Sequence, residues 1–476
     1  MKHLLTILLS GLAILSGCSG AKKAETAAAP ADSLVHADWS RNAVIYEVNT
    51  RQYTDSGTFR AFGQHLTRLK DLGVDILWFM PIHPISELNR KGELGSYYAV
   101  RDYRAVNPEF GTFDDFKAVV DSAHALGMKV IIDWVPNHTG CDNAWVTEHP
   151  EYYKLNDEGQ MFGPFDWTDV YELDYSKPET RRVMTDAMKF WITEAGIDGF
   201  RCDVAGRVPV DYWNEARREL NAAAGDRSIF MLAEATEPEL VEYAFDAVYN
   251  WPMKDLFSEI AATAGQYSFV KEGEQPRTFP VKHAAAIDSL LAVQAEQYPA
   301  DAYLMNMTSN HDLNSWEGTE FERLGNLAPA FAVLSYTLPG IPLIYTGQET
   351  GLDRALEFFV KDTPPQWEPR SASFEFYKTL NNLRHNRREL ASGTAGGALN
   401  RVATASDDVI AFTRSDADGN TTFVAANLGN APVALLPEGS TFTIPADAVD
   451  IFTGAAAVLP AELVPGQYAV FTYSAR

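Results

Sequence analysis

Four short polar blocks carry the side chains of this chain that could do chemistry: Asp133-Trp-Val-Pro-Asn137-His138, Gly199-Phe-Arg201-Cys-Asp203, Ala233-Glu234-Ala235 and Ser309-Asn310-His311-Asp312. Besides Asp133 they bring three candidate catalytic acids (Asp203, Glu234, Asp312), two histidines (His138, His311) and one arginine (Arg201). Two carboxyl groups about 5 Å apart can break a glycosidic bond with retention, one attacking the anomeric carbon and the other protonating the leaving oxygen. Asp203 is the better nucleophile. Arg201 lies two residues earlier, on the same face of an extended strand, and a guanidinium there would keep the carboxylate ionised. Glu234 stands between two alanines, which predicts weakly polar surroundings and a pKa raised toward that of a general acid. Asp312 is a third acid that would help hold Glu234 protonated and accept from sugar hydroxyls. Bland readings compete at each position: a structural Arg201–Asp203 ion pair, a lone strand-end Glu234, two satisfied structural histidines.

Each block ends an apolar run, as expected where buried parallel strands reach the top face of a barrel. Strands are expected at 44–48, 74–81, 129–135, 229–232, 247–249, 303–307 and 341–345, with one more ending at Asp203. Helical periodicity runs over 59–72, 112–126 and 177–194. Eight alternations over residues 39–392 predict an α/β fold, a (β/α)8 TIM barrel. The aromatic-rich stretch 139–176 shows no amphipathic helix and reads as a small inserted domain after strand 3. Beyond residue 392, short β-type runs separated by turn residues predict a C-terminal antiparallel β-domain, a β-sandwich over 393–476. Trp78 falls inside a strand run and reads as core. Tyr98 sits in the loop Gly95-Ser-Tyr-Tyr98-Ala-Val-Arg-Asp102-Tyr103, where its ring could stack on a sugar or merely pack the loop.

With 64 acidic against 39 basic side chains, the chain carries a net charge of −25, which argues against a nucleic-acid partner. A basic start (Lys2, His3) and a short apolar run over 4–14 lead to Leu15-Ser-Gly-Cys18. That string resembles a bacterial lipoprotein signal. It implies a signal peptide over 1–17, lipidation of Cys18, a tether over 18–38 and a cell-envelope location, periplasmic or at the cell surface. The apolar run is too short for a comfortable membrane span. Of the remaining cysteines, Cys202 should point away from the barrel lumen as a buried thiol, and a disulfide to Cys141 stays open.

The four blocks, in this order and at these strand ends, resemble the conserved regions of the α-amylase family of glycoside hydrolases. Gly73-Val-Asp-Ile-Leu-Trp-Phe-Met-Pro81-Ile, Asn107-Pro-Glu-Phe-Gly-Thr112 and Gly340-Ile-Pro-Leu-Ile-Tyr-Thr-Gly347-Gln-Glu349 are similar to further stretches of that family. The resemblance implies retaining cleavage of α-1,4-glucosidic bonds in starch, maltodextrin or maltooligosaccharides. It implies Asp203 as nucleophile, Glu234 as acid/base and Asp312 as the acid stabilising the transition state. Arg201, His138, His311 and Tyr98 then line the site of the reacting sugar. Asn137 matches a ligand of the family's main calcium site, so a structural calcium is an open expectation. Gly206 and Arg207 stand where many relatives have a Lys-His pair, which leaves acceptor-side specificity open. A transglycosylase or a neopullulanase- or cyclomaltodextrinase-like enzyme is the near alternative, and a non-catalytic glycan-binding protein the distant one.

Overall fold

The computed structural model describes residues 34–367 and 370–474, and Leu34–Arg476 forms one compact unit. Cys18, the expected signal segment and the tether as far as residue 33 lie outside the described residues. Three strands open the fold: β1 (Ile45–Val48), β2 (Ile76–Phe79) and β3 (Lys129–Trp134). The chain then makes an antiparallel ribbon of β4 (His138–Gly140) and β5 (Val170–Glu172). It returns as β6 (Gly199–Cys202), β7 (Phe230–Ala233), β8 (Ala247–Tyr249), β9 (Tyr303–Asn306) and β10 (Ile341–Tyr345). Apart from the ribbon these strands pair in parallel in chain order, and β10 closes on β1 with Ile45 beside Leu343. This is the (β/α)8 barrel read from the sequence.

Alternation along the strands sorts the lumen into layers. Ile45, Ile76, Trp78, Ile131, Phe230, Leu232, Met305 and Leu343 fill it with apolar side chains. Two residues further along, Ile45 gives way to Glu47 and Ile131 to Asp133, both fully buried. The intervening residues, such as Leu77, Val130, Phe200 and Cys202, point outward into the helix layer. Cys202 and Cys141 are buried free thiols, so no disulfide joins them.

The helix Phe113–Ala125 shows how the outer layer is specified. Thr112 and Asp115 cap its start reciprocally, an arrangement worth about 1 kcal/mol. Phe116, Val119, Val120 and Ala123 recur at helical spacing and are buried. The helix read over 59–72 is instead two, Phe59–Gly63 and Leu66–Leu72. Gly63 weakens the helix there, and the Gln64 N–H turns back to the carbonyl oxygens of Ala61 and Phe62. The helix read over 177–194 stops at Phe190 and continues as one π turn, Trp191–Ala195. The tether's far end is also not free: His36 is buried, 2.9 Å from Asp246 and stacked on Tyr303.

The C-terminal region is a five-stranded antiparallel sheet in the order β11 (Ala398–Arg401), β12 (Val409–Ser415), β13 (Asn420–Asn427), β17 (Tyr468–Ser474), β15 (Val449–Asp450). A two-stranded ribbon of β14 (Val433–Ala434) and β16 (Glu462–Leu463) completes it. Its second layer is thus thinner than the expected sandwich, and the β-type residues 441–444 form no strand; Phe442 packs its ring on Phe423. Both faces of the main sheet are buried. Val409, Ala411, Phe423 and Phe471 pack with Leu435 and Leu463, whereas Ile410, Phe412, Val424 and Val470 join the core that surrounds the barrel.

Gly199 opens β6 at φ +145°, and a Cβ added there would meet the carbonyl oxygen of Phe230 at 1.9 Å. That oxygen belongs to the backbone of the neighbouring barrel strand and cannot yield. Gly199→Ala is therefore expected to destabilise the fold by about 3 kcal/mol or more, seen as a lowered thermal midpoint or as loss of soluble protein.

Candidate active site

The acids and the arginine read from the sequence meet at the C-terminal ends of the barrel strands. Arg201 lies at the bottom of the site with no solvent exposure. Its Nη1 donates to both carboxylate oxygens of Asp133, at 3.0 and 3.2 Å, and to Asp203 Oδ1 at 3.1 Å. Its Nε donates to the Tyr249 hydroxyl at 3.0 Å, and its Nη2 lies 2.9 Å from Glu234 Oε2. That last contact joins two charges without an aligned hydrogen bond, since Nη2 has no hydrogen-bond acceptor. Glu234 Oε2 also accepts from the Val204 N–H at 2.9 Å. One guanidinium thus gathers the carboxylates of β3, β6 and β7.

A second network lies beside it. The Tyr98 hydroxyl donates to Asp133 at 3.1 Å and lies 2.8 Å from His311 Nε2. His311 Nε2 is 3.3 Å from Asp312, and its Nδ1 pairs with Glu47. Burial would lower the His311 pKa, but the charges of Asp312 and Glu47 override it and push it up to about 9. His311 is therefore a cation at neutral pH. His138 lacks such partners, and burial pushes it down to about 3, so it presents a neutral ring edge-on to Trp167. Tyr98, His138, Asp203, Glu234, His311 and Asp312 all line one cleft of about 610 Å3.

Two local expectations change. Arg201 does not leave Asp203 with an ordinary carboxylate pKa. Burial and the neighbouring Glu234 charge raise it well above that range, against the pull of Arg201. The weakly polar surroundings expected of Glu234 are absent, because its carboxylate lies between a guanidinium and a backbone N–H. Its flanking alanines follow the strand and say nothing of the groups that β6 brings alongside. Asp312 acts first on His311, and the acid paired with Glu234 through Arg201 is Asp203.

Glu47 and Asp133 had no assigned role in the sequence reading. Asp133 sits beside Arg201 in the β3–β6 register, accepts from Trp78 Nε1 at 3.2 Å, and is held up to about 6 by burial. The signal was available: both acids interrupt lumen-facing positions of apolar strands. The cleft's aromatic wall of Trp316, Phe358 and Phe359 was also missed, because those residues lie on two separate loops.

The residues around Asn137 do not fit a calcium site. Calcium takes six to eight oxygen ligands, with carboxylates prominent. The acids on and beside β5 are already matched by cations: Asp169 lies 3.1 Å from Lys91, and Glu172 2.9 Å from Lys154 and 3.2 Å from Arg207. The Asn137 amide is 3.3 Å from His138 Nδ1, and no group of three His, Cys, Asp or Glu side chains placed to hold a metal occurs among the described residues.

The family model for the catalytic domain of alpha-amylase matches residues 38–172 and 151–366. Neopullulanase 2 of Thermoactinomyces vulgaris is 27% identical over 460 residues, covering 84% of this chain and 72% of its own length. Other curated relatives are spanned over 65%, 59% and 60% of their lengths. Among solved structures, an alpha-amylase from Lactobacillus plantarum is 30% identical with a TM-score of 0.77, covering 91% of this chain and 99% of its own. A noncanonic maltogenic alpha-amylase from Thermotoga neapolitana is 26% identical with a TM-score of 0.75, again covering 91% and 99%.

The raised His311 pKa has a stability consequence with a fixed sign. A histidine ordinarily near 6.5 but near 9 in the fold stabilises through its charge fully below pH 6.5, and that contribution is lost as pH rises through 9. The thermal midpoint should fall across this window, and fall less in His311→Gln; equal slopes in both proteins would refute the assignment. Dialysis against EDTA is expected to leave both thermal midpoint and turnover unchanged.

Proposed function

Because this chain belongs to the α-amylase family of glycoside hydrolases, we propose that its cleft cleaves α-1,4-glucosidic bonds of maltodextrins and maltooligosaccharides with retention of configuration. The observation that carries this reading is Arg201 reaching Asp203 through one terminal nitrogen and Glu234 through the other, with both acids lining one cleft. Double displacement needs two carboxyl groups that close to the same bond. The relatives, a neopullulanase and a maltogenic alpha-amylase among them, support short α-glucans as substrates.

The two acids divide the work by their contacts. Asp203 receives an aligned, charge-assisted hydrogen bond from Arg201, which favours its ionised form. Glu234 meets Arg201 without an aligned hydrogen bond and accepts from the Val204 N–H, and in this reading it is the acid that serves the glycosidic oxygen. Asp203 attacks the anomeric carbon and Glu234 gives its proton to the glycosidic oxygen. Water then enters, Glu234 takes a proton from it, and the bond to Asp203 breaks. Asp312 faces the positive charge that develops on the sugar ring. The His311 cation and neutral His138 bind hydroxyls, and Tyr98 supports the ring from below. Asp133 and Glu47 hold Arg201 and His311 in place and are positioning residues.

The lipoprotein-like string ending at Cys18 supports a lipid anchor in a bacterial cell envelope. Globomycin-sensitive processing and partition of the full chain into detergent, both lost in Cys18→Ser, would test it.

Maltoheptaose should yield short maltooligosaccharides whose new reducing ends are first seen by NMR as the α-anomer. Asp203→Asn and Glu234→Gln are each expected to lower kcat by about 10^3-fold or more with the thermal midpoint preserved. Retained turnover in both variants would remove the assignment.

A further inference from the structure

Among the residues lining the cleft, Trp316 is conspicuous for its exposure: 43% of this large apolar side chain is open to solvent. With Phe358 and Phe359 it makes a contiguous apolar patch in the cleft that also holds the catalytic acids, and such patches mark binding surfaces. It lies on a second π turn, Leu313–Glu317, which starts directly after Asp312. Its ring rests against Phe358 at 5.3 Å and Phe359 at 5.8 Å between centroids.

The ring is held in place from behind. Asn314 donates to Arg354 O at 3.0 Å and accepts from Leu356 N at 2.7 Å, and the Ser315 hydroxyl donates to Leu356 O at 3.2 Å. The loop that carries Phe358 is tied in turn to the start of the barrel. Arg51 donates to Phe358 O at 3.0 Å, and Gln52 to Val360 O at 2.7 Å. The aromatic wall is therefore ordered before any ligand arrives, which lowers the entropy cost of stacking on it.

The side of the cleft on which Trp316 stands follows from the chemistry. The leaving part of the substrate departs past Glu234, which sits toward Val204. The sugar retained on Asp203 lies over Tyr98, beside His311 and Asp312. Phe358 is nearly parallel to Tyr98, at 6.5 Å and 10°, and Trp316 follows Phe358 along the same row. Trp316 therefore continues the aromatic row that starts at Tyr98 and runs through Phe358.

We propose that Trp316 is the platform for the second retained glucosyl unit, so that the donor portion of a good substrate is at least a maltosyl group and maltose, not glucose, is the shortest favoured product. This rests on the α-glucan-cleaving reading above and adds its specificity.

The test compares p-nitrophenyl α-maltoside, which can fill both retained positions, with p-nitrophenyl α-glucoside, which fills one. Wild-type kcat/KM should be higher for the maltoside, and Trp316→Ala should narrow that preference by about tenfold or more, chiefly through KM. Trp316→Phe, which keeps an aromatic face, should restore most of it. An equal loss on both substrates would mean that Trp316 only supports Asp312, and an unchanged ratio would mean that nothing stacks there; either overturns the proposal. A wild-type enzyme inert on both glycosides and on maltoheptaose would instead strike the hydrolase reading on which the proposal stands.

Discussion

A buried guanidinium is the constraint around which this site is built. Arg201 has no contact with water, and stripping a charge of solvent costs several kcal/mol unless it is repaid by partners. Asp133, Asp203 and Glu234 supply that compensation from three different strands, with Tyr249 taking the remaining Nε hydrogen. The dependence runs both ways. Three carboxylates this close would repel one another without Arg201, and Arg201 would be an unpaired buried cation without them. The barrel is what makes such a cluster affordable, because closed strands place those side chains with little freedom to move apart.

The same principle of paired charge organises the periphery. Where the inserted ribbon of β4 and β5 meets the barrel, lysines and arginines neutralise its acids one by one. Elsewhere, the Lys361 ammonium donates to the carbonyl oxygens of Arg51 and Thr54 and fastens the loop after β10 to the segment after β1. The C-terminal sheet adds apolar support: one of its faces is continuous with the core that surrounds the barrel, which is why the described chain behaves as one unit. Catalytic acids, aromatic wall and supporting sheet are thereby referenced to a common frame.

Electrostatics divide the two histidines of the cleft although their surroundings are equally dry. His311 faces Glu47 and Asp312 and is held charged; His138 faces none and stays neutral. His311 spends Nδ1 on Glu47 and presents Nε2–H beside Tyr98 and Asp312, whereas a neutral ring such as His138 has one donor and one acceptor nitrogen. A sugar hydroxyl can do both, so the pair reads different parts of the same ring.

Residue type and spacing alone determined the barrel, the strand-end position of Asp203, Glu234 and Asp312, and the sharing of one face by Arg201 and Asp203. All of these follow from the two-residue period of a strand, which any buried segment must obey. The same period marks Glu47 and Asp133 as lumen-facing. Their roles came only with the fold, since a lumen position does not say which cation it meets. Only the tertiary structure decided that Glu234 sits against Arg201 rather than among apolar neighbours, that burial raises the pKa of Asp203 in spite of Arg201, and that Trp316 and Phe358 form one wall. Those outcomes depend on side chains that are tens of residues apart in the chain and meet only when the barrel closes. Local pattern carries direction along a strand; solvation and partnership are properties of the space between strands.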